Sequence, residues 1–317
     1  MPDPDAARKA EGPVLRTEAA AGILALIAAG ATLAVAAIVL VAFSFRTRDR
    51  AKIRDGWIIW GLQFLTMGVI LVPAYLGGIL FTAVTAVLAS LCLLELMRVQ
   101  KEAVPLAMQV VVVAFGLASF ALAHLRPFPA LYLSIPLAAA ALLVVNLFFP
   151  NEPRHLQSAA ICFLGLVYIP VFLAHVVLIR KQENGFLVIF FLYGLSEVHD
   201  SFAYLFGRML GKKKIFPNIS PNKTWVGSVS GLVAAVAAAI AVNRWVTRFS
   251  LAFAAAAVAI IICFTVLGDL VSSKIKRALD VKDFGSLIPR TGGLLDSYDS
   301  LVFVTPFVYY LSLLVAS

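Results

Sequence analysis

The chain has 317 residues, of which 62% are hydrophobic and only 14% are charged. A soluble domain has roughly 25% charged residues, so this composition excludes a soluble globule. The formal net charge is +9, yet no basic stretch is long or aromatic enough to indicate nucleic-acid binding. We therefore attribute the positive charge to membrane topology and to anionic headgroups or phosphate substrates.

Apolar runs long enough to cross a bilayer as helices recur along almost the whole chain. Because these runs are continuous and do not alternate in hydrophobicity, they favour helices over the strands of a membrane barrel. The sequence predicts an all-α, polytopic helical integral membrane protein with about ten transmembrane helices, nine being the alternative count. The predicted spans are 20–44, 57–75, 79–97, 104–124, 129–149, 158–179, 186–207, 226–246, 250–270 and 299–316.

The distribution of Lys and Arg predicts the sidedness of this arrangement. Ten spans place 18 of the 26 basic residues in loops on one side and 8 on the other. Since the richer side is normally cytoplasmic, both termini are expected outside. We assign residues 1–150 to N-terminal transmembrane helices of unassigned role and residues 151–317 to a C-terminal transmembrane catalytic region, which contains the polar motifs.

The first polar motif is "SEVHDSFAYLFGRMLGKKK", in the seventh predicted span. Glu197 and Asp200 are ionisable residues at membrane depth, which are costly and usually functional. Helical spacing places on one face Asp200, Tyr204, Gly207, Arg208 and Gly211. The two glycines would let another helix or a ligand approach closely; the alternative is a packed glycine face that ends in a basic membrane anchor.

The second motif, "PNISPNKTWVG", precedes the eighth predicted span. Pro217 and Pro221 exclude a regular helix here, and Ser220 is the expected cap of the helix that follows. A helix N-terminus beside Lys223 would suit a phosphate group. The alternative is an ordinary cytoplasmic loop with Trp225 at the interface.

The third motif is "GDLVSSKIKRALDVKDFGSLIPRTGGLLDSYDS". If the ninth helix continues past its predicted span, one face presents Asp269, Ser272, Ser273, Lys276 and Arg277. Asp296 and Asp299 share a face at the start of the tenth span. Pro289 and the pair Gly292 and Gly293 predict an irregular connection between them.

Carboxylates gathered where water meets lipid would be costly to keep ionised without a cation. Oxygen ligands without a His or Cys cluster favour Mg²⁺ over zinc. Mg²⁺ held by one or two carboxylates, with lysines and arginine nearby, is typical of sites that handle nucleotide phosphates. The sequence therefore predicts a Mg²⁺ site, and whether a second, monovalent cation shares it is left open.

Together the three motifs resemble the CDP-diacylglycerol synthases, also called phosphatidate cytidylyltransferases. The resemblance covers about residues 194–301 and rests on "DSFAYLFGR", "SPNKTW" and the long third motif. It differs at Thr291, where the family usually has histidine, and at Ser297, where it usually has arginine. The resemblance implies a nucleotidyltransferase of phospholipid biosynthesis, in which a lipid phosphate in the bilayer attacks the α-phosphorus of CTP and pyrophosphate leaves.

The resemblance also implies roles for individual residues, with the site facing the cytoplasm. The expected metal ligands are Asp269 and Asp296, with Asp200 completing or supporting the site. The expected catalytic residues are Lys223, Lys276, Arg277, Lys282, Asp283 and Asp299. The expected substrate-binding residues are Ser220, Asn222, Thr224, Tyr204, Arg208, Ser273, Gly292 and Gly293.

Other interpretations of these motifs stay open at this point. The enzyme alternatives are a CTP-dependent transferase on another lipid phosphate and a CTP-dependent polyprenol kinase. A carrier that uses the aspartates for ion coupling is less favoured, because carriers usually bind near the membrane midplane. A catalytically silent homologue is a further alternative, and the oligomeric state, including a homodimer, is left open.

Overall fold

A computed structural model describes Gly30, Val41, residues 50–126 and residues 129–316. The first predicted span, 20–44, lies outside the described residues apart from Gly30 and Val41, which are both helical. The other nine predicted spans all form helices, and the span 158–179 contains two of them. The ten α-helices of the described residues are α1 (Arg50–Leu76), α2 (Gly78–Arg98), α3 (Leu106–Leu125), α4 (Ser134–Asn146), α5 (Pro153–Leu166), α6 (Phe172–Arg180), α7 (Gly185–Leu210), α8 (Trp225–Val242), α9 (Leu251–Ala278) and α10 (Leu294–Ala316).

Seven helices in the described part of the chain are long and apolar enough to cross a membrane. One of them is continuous from Pro153 to Arg180, because a π-helical turn at Val167–Val171 joins α5 to α6. The predicted span 129–149 forms a shorter apolar segment, a 3₁₀ turn at Ala130–Leu133 followed by α4. The protein is therefore a polytopic helical membrane protein, as its composition predicts.

Gly77 ends α1 and allows α2 to begin at once in the opposite direction. Its φ is +70° and that of Gly78 is +60°, values that glycine adopts without strain. A Cβ on Gly77 would lie 2.8 Å from Nη2 of Arg180. The segment "PAYLGG" thus forms a tight hairpin between α1 and α2.

Helices α7 and α8 approach each other closely through glycines. A Cβ on Gly227 would lie 2.5 Å from the carbonyl oxygen of Ala203, and one on Gly231 would lie 2.6 Å from that of His199. On the α7 side, a Cβ on Gly211 would lie 2.3 Å from Oγ1 of Thr224. The glycines predicted to admit a helix or a ligand therefore admit a helix, which small residues allow in membranes.

A two-stranded antiparallel hairpin joins α7 to α8 and corrects one prediction. Strand β1 (Lys214–Phe216) pairs with β2 (Ser220–Thr224). Ser220 therefore begins a strand and does not cap α8. Thr224 is the cap, since its Oγ1 accepts the N–H of Gly227 at 3.2 Å.

On the face of the bundle remote from this hairpin, two basic side chains donate hydrogen bonds to carbonyl groups at the ends of neighbouring helices. Nε of Arg180 donates to the carbonyl of Ala74 at 2.6 Å, at the end of α1. Nζ of Lys181 donates to the carbonyls of Ala123 and His124 at 3.1 Å, at the end of α3. Cations are favourable at helix C-termini, where carbonyls lack helical partners.

The loops predicted to share the opposite face also meet. Lys101, after α2, lies 2.5 Å from Asp280, which follows α9. The hydrogen bond from Lys101 holds the pKa of the Asp280 carboxyl below its ordinary value. The relative sidedness of these loops agrees with the count of basic residues.

Candidate active site

A cavity of about 440 Å³ lies between α1, α7, α8, α9 and the start of α10. Its polar walls come from all three sequence motifs and from one helix outside them. Four aspartates line it, namely Asp200, Asp269, Asp296 and Asp299. The packing of the helices therefore brings together side chains as far apart in sequence as Leu62 and Leu301.

Asp269 lies on the wall formed by α9, with a cation beside it. Its Oδ2 is 2.6 Å from Nζ of Lys223, and its Oδ1 accepts a long hydrogen bond of 3.4 Å from Ser273. Lys223 reaches it from β2 and also approaches the carbonyl of Val266 at 3.5 Å. The Asp269 side chain is 34% exposed, so it remains open to a ligand in the cavity.

Asp296 has more partners and much less exposure. Its Oδ1 accepts a hydrogen bond of 2.7 Å from Nζ of Lys276. Its Oδ2 accepts the backbone N–H of Phe284 at 2.8 Å and that of Gly293 at 2.9 Å. Because only 4% of the Asp296 side chain is exposed, this carboxylate holds the 279–293 loop against α9.

Asp299 lies one turn further along α10 and is buried. Its Oδ1 accepts the backbone N–H of Ser300 at 2.6 Å. It lies within electrostatic range of Asp269, Lys276 and Asp200. The negative charge of the cavity is thus concentrated between α7, α9 and α10.

The wall formed by α7 continues this polar surface towards α1. Oδ1 of Asp200 accepts a hydrogen bond from Nδ1 of the buried His199 at 2.9 Å. Nε2 of Gln63, from α1, donates to Oε2 of Glu197 at 2.6 Å and to Oγ of Ser201 at 2.7 Å. Buried polar groups need such partners, so α1 is part of the site although the motifs leave it out.

The predicted site residues fall into two groups. Those that line the cavity are Asp200, Tyr204, Ser220, Asn222, Lys223, Thr224, Asp269, Asp296 and Asp299. Those in the surrounding structure, outside the cavity lining, are Arg208, Ser273, Lys276, Arg277, Lys282, Asp283, Gly292 and Gly293. Lys282 is 82% exposed and only 4.0 Å from Asp283, whereas Arg208 donates to the Tyr204 hydroxyl at 2.5 Å.

Gln63 and Glu95, from helices outside the three motifs, also belong to the cavity region and were not predicted. Gln63 lines the cavity from α1, and Glu95 of α2 accepts hydrogen bonds from Leu294 and Leu295 at the start of α10. Both are polar residues in long apolar helices. That placement is itself a signal of function, because polar groups at membrane depth are costly.

The donor set fits Mg²⁺ that is bound together with a nucleotide. Within residues 50–126 and 129–316, no group of three His, Cys, Asp or Glu side chains could hold a metal alone. Mg²⁺ does not need such a group, since it is usually bound by one or two carboxylates together with water and substrate phosphates. Asp200 and Asp269, with 49% and 34% of their side chains exposed, are the carboxylates best able to take this role, whereas the Asp296 side chain is only 4% exposed.

Most of the chain is similar to proteins of a known family. Residues 53–315 match the model of the cytidylyltransferase family. The chain is 34% identical over 184 residues to a phosphatidate cytidylyltransferase from Bacillus subtilis, covering 57% of this chain and 66% of that protein. It is 35% identical over 151 residues to one from Staphylococcus saprophyticus, covering 47% of this chain and 57% of the relative. The chain thus spans less than two thirds of the length of these relatives.

Proposed function

Because the chain belongs to the cytidylyltransferase family, we propose that it transfers the cytidylyl group of CTP to phosphatidate, giving CDP-diacylglycerol and pyrophosphate. An oxygen of the lipid phosphate forms a bond to the α-phosphorus, and the bond from that phosphorus to the β-phosphate bridging oxygen breaks. The observation that carries the proposal is the cavity itself, where carboxylates from three helices and Lys223 meet around Asp269 of α9. The names of the curated relatives support the same reaction.

The position of Asp269 along α9 suits a substrate anchored in the bilayer. At 1.5 Å per residue, Asp269 lies roughly 27 Å along the helix from Leu251, close to the ~30 Å thickness of the hydrocarbon core. The remainder of the 28-residue helix would project beyond the hydrocarbon. A lipid phosphate at the membrane surface would therefore reach the cavity without leaving the bilayer.

The protein's own side chains would supply positioning and charge. The Lys223 side chain already lies in the cavity wall and is only 20% exposed. It would therefore need only a small movement away from Asp269 to contact a phosphate oxygen. Lys276 would keep its contact with Asp296 and add positive potential behind the reacting phosphates. Fixed charges in a largely enclosed site stabilise a developing negative charge more strongly than water does.

We include Mg²⁺ in the proposal, with Asp269 as a ligand and Asp200 and Asp299 close enough to support it. When bound, Mg²⁺ would supply charge neutralisation at the triphosphate. The cavity is proposed to face the cytoplasm, where CTP is made. This orientation is supported by the 18 basic residues on its side of the membrane.

The test uses purified full-length protein with CTP, MgCl₂ and a panel of lipid phosphates. With CTP labelled at the α-phosphate, we expect label to move into an extractable lipid, with one pyrophosphate released for each product formed. With CTP labelled at the γ-phosphate, the lipid should stay unlabelled. Transfer of the γ-label to a lipid alcohol, with CDP as co-product, would instead establish a kinase and refute the proposal.

A further inference from the structure

Glu95 is an acidic residue in an unfavourable place for its own helix. It lies in the last turn of α2, within the apolar sequence "LCLLELMR", and it is buried. The C-terminal end of a helix carries partial negative charge, so a carboxylate there is destabilising. A buried carboxylate at such a position needs hydrogen-bond donors from another part of the protein to stabilise it.

The compensation comes from a helix 199 residues further along the chain. Oε1 of Glu95 accepts the backbone N–H of Leu294 at 3.0 Å, and Oε2 accepts that of Leu295 at 2.9 Å. These residues begin α10, where N–H groups lack helical partners and the helix dipole favours negative charge. Hydrogen bonds to an ionised acceptor are about twice as strong as neutral ones.

The loop before α10 is shaped around this carboxylate. A Cβ on Gly285 would lie 2.7 Å from Oε1 of Glu95, and a Cβ on Gly293 would lie 2.4 Å from Oε2. Neither glycine has a positive φ, so backbone conformation does not require them. The Glu95 side chain occupies the space at both positions, and each glycine also lies against the backbone of the other, with Cα of Gly293 at 3.1 Å from the added Cβ of Gly285 and N of Gly285 at 2.8 Å from that of Gly293.

Glu95 and Asp296 together take three successive N–H groups. Asp296 accepts the N–H of Gly293, and Glu95 accepts those of Leu294 and Leu295. The N-terminus of α10 is therefore filled by protein carboxylates and is not a phosphate site. Its effect is instead to fix where α10 begins, and hence where Asp296 and Asp299 enter the cavity.

We propose that Glu95 is a positioning residue, which holds the 279–293 loop and the first turn of α10 in register with the active-site cavity. It acts through Asp296 and Asp299 and does not touch substrate. The effect on turnover rests on the proposed function, whereas the effect on the loop does not. The proposal gives a role to the N-terminal helices, for which the sequence predicts none.

The first test compares Glu95→Gln with the parent by hydrogen exchange and by kinetics. The amide keeps the size of the side chain but offers only one acceptor oxygen, so one of two N–H groups would face an NH₂ group. We expect faster exchange at residues 284 and 293–295 with unchanged exchange in α2, and roughly tenfold lower kcat. Glu102→Gln, an exposed acid seven residues away, is the matched control and should change neither.

The second test uses the space that Glu95 fills. Gly285→Ala should reduce turnover in the parent, because the methyl group meets the carboxylate. In a Glu95→Ala background the contact with the carboxylate is gone and Cα of Gly293, at 3.1 Å, is the nearest remaining atom, so Gly285→Ala should reduce turnover less than it does in the parent. Equal effects of Gly285→Ala in the two backgrounds would overturn the proposal.

Hydrogen exchange also distinguishes failure of the positioning role from failure of the proposed function. If the parent forms no labelled lipid, the proposed reaction fails, yet loosening of residues 284 and 293–295 in Glu95→Gln still supports the positioning role. Unchanged exchange at those residues would overturn it, even in an active enzyme. Loss of protection spread evenly over all helices would show a general packing role and would also overturn it.

Discussion

Asp269 and Asp296 have the same functional group but different surroundings. Asp269 is 34% exposed and has one ion-pair partner, whereas Asp296 is 4% exposed and accepts three hydrogen bonds. A carboxylate that a ligand in the cavity can reach can bind a metal, whereas one that is buried among protein donors fixes structure. We therefore expect substitution of the two residues to affect different properties of the protein.

Asp269→Asn should abolish most activity and leave the fold intact. Loss of a carboxylate that holds Mg²⁺ with the triphosphate should lower kcat/KM by about a thousandfold, or ~4 kcal/mol. Steady-state kinetics at saturating Mg²⁺ measure the loss of activity, and thermal unfolding in detergent measures the stability of the fold. Asp280→Asn is the control, since Asp280 lies outside the cavity in an exposed pair with Lys101; near-parent turnover in Asp269→Asn would remove this residue from the metal site.

Asp296→Asn should instead lower the stability of the protein. The substitution removes the partner of Lys276, whose side chain is only 13% exposed, and breaking a buried ion pair costs about 3–5 kcal/mol. The melting temperature of Asp296→Asn should therefore fall well below that of Asp269→Asn, which the same unfolding experiment measures. Equal melting temperatures would contradict the structural role that its three hydrogen bonds indicate.

Sequence spacing predicts part of this site at the residue scale. The separation of four residues between Asp269 and Ser273 predicts a shared helix face, and they are hydrogen-bonded. Spacing cannot predict that Lys276 would pair with Asp296, or that Glu95 would reach Leu294, because both contacts depend on how separate helices pack. The isolated acid in "LCLLELMR" is a signal of function without an indication of its partner.

At the scale of elements, the contact between α7 and α8 sets the position of Asp200. Gly231 lies against the carbonyl of His199, the residue before Asp200. A side chain at this point would push α8 outwards and move one wall of the cavity. The helix pair is therefore a structural support of the site and not only a part of the bundle.

Gly231→Ala should lower both activity and stability. Its Cβ would lie 2.6 Å from the His199 carbonyl and 2.9 Å from Cδ2 of that ring, and overpacking of this kind costs about 1–3 kcal/mol. Gly194→Ala is the matched control, because a Cβ there has nothing within 4 Å and alanine favours a helix over glycine by up to ~1 kcal/mol. Thermal unfolding and turnover are measured for both variants. If Gly231→Ala is as stable and as active as Gly194→Ala, α7 and α8 have room to separate and the prediction is wrong.

The hairpin of β1 and β2 shows which secondary structure this sequence does not predict. Two prolines correctly exclude a helix, but they do not reveal that Lys214 pairs with Thr224. This pairing takes Ser220 into a strand and leaves Thr224 as the helix cap. A cap predicted from local sequence fails where contacts between distant residues decide which residue precedes the helix.

At the scale of the whole molecule, the two faces of the bundle should have opposite exposure in cells. Glu183 and Ser286 are exposed residues on opposite faces. In a background with Cys263→Ala, Glu183→Cys should react with a membrane-impermeant thiol reagent in intact cells. Ser286→Cys should react only after the cells are opened, because the face richer in Lys and Arg should be cytoplasmic; the reverse pattern would invert the proposed orientation.

The contact between Glu95 and α10 also has a consequence for biosynthesis. Translation proceeds at about 5–20 residues per second, so roughly 10–40 s pass between the appearance of Glu95 and that of Leu294. During this interval α2 enters the membrane with an acidic side chain whose final partners do not yet exist. A chain that stops before α10 therefore leaves Glu95 without the two N–H groups that its carboxylate accepts in the finished protein.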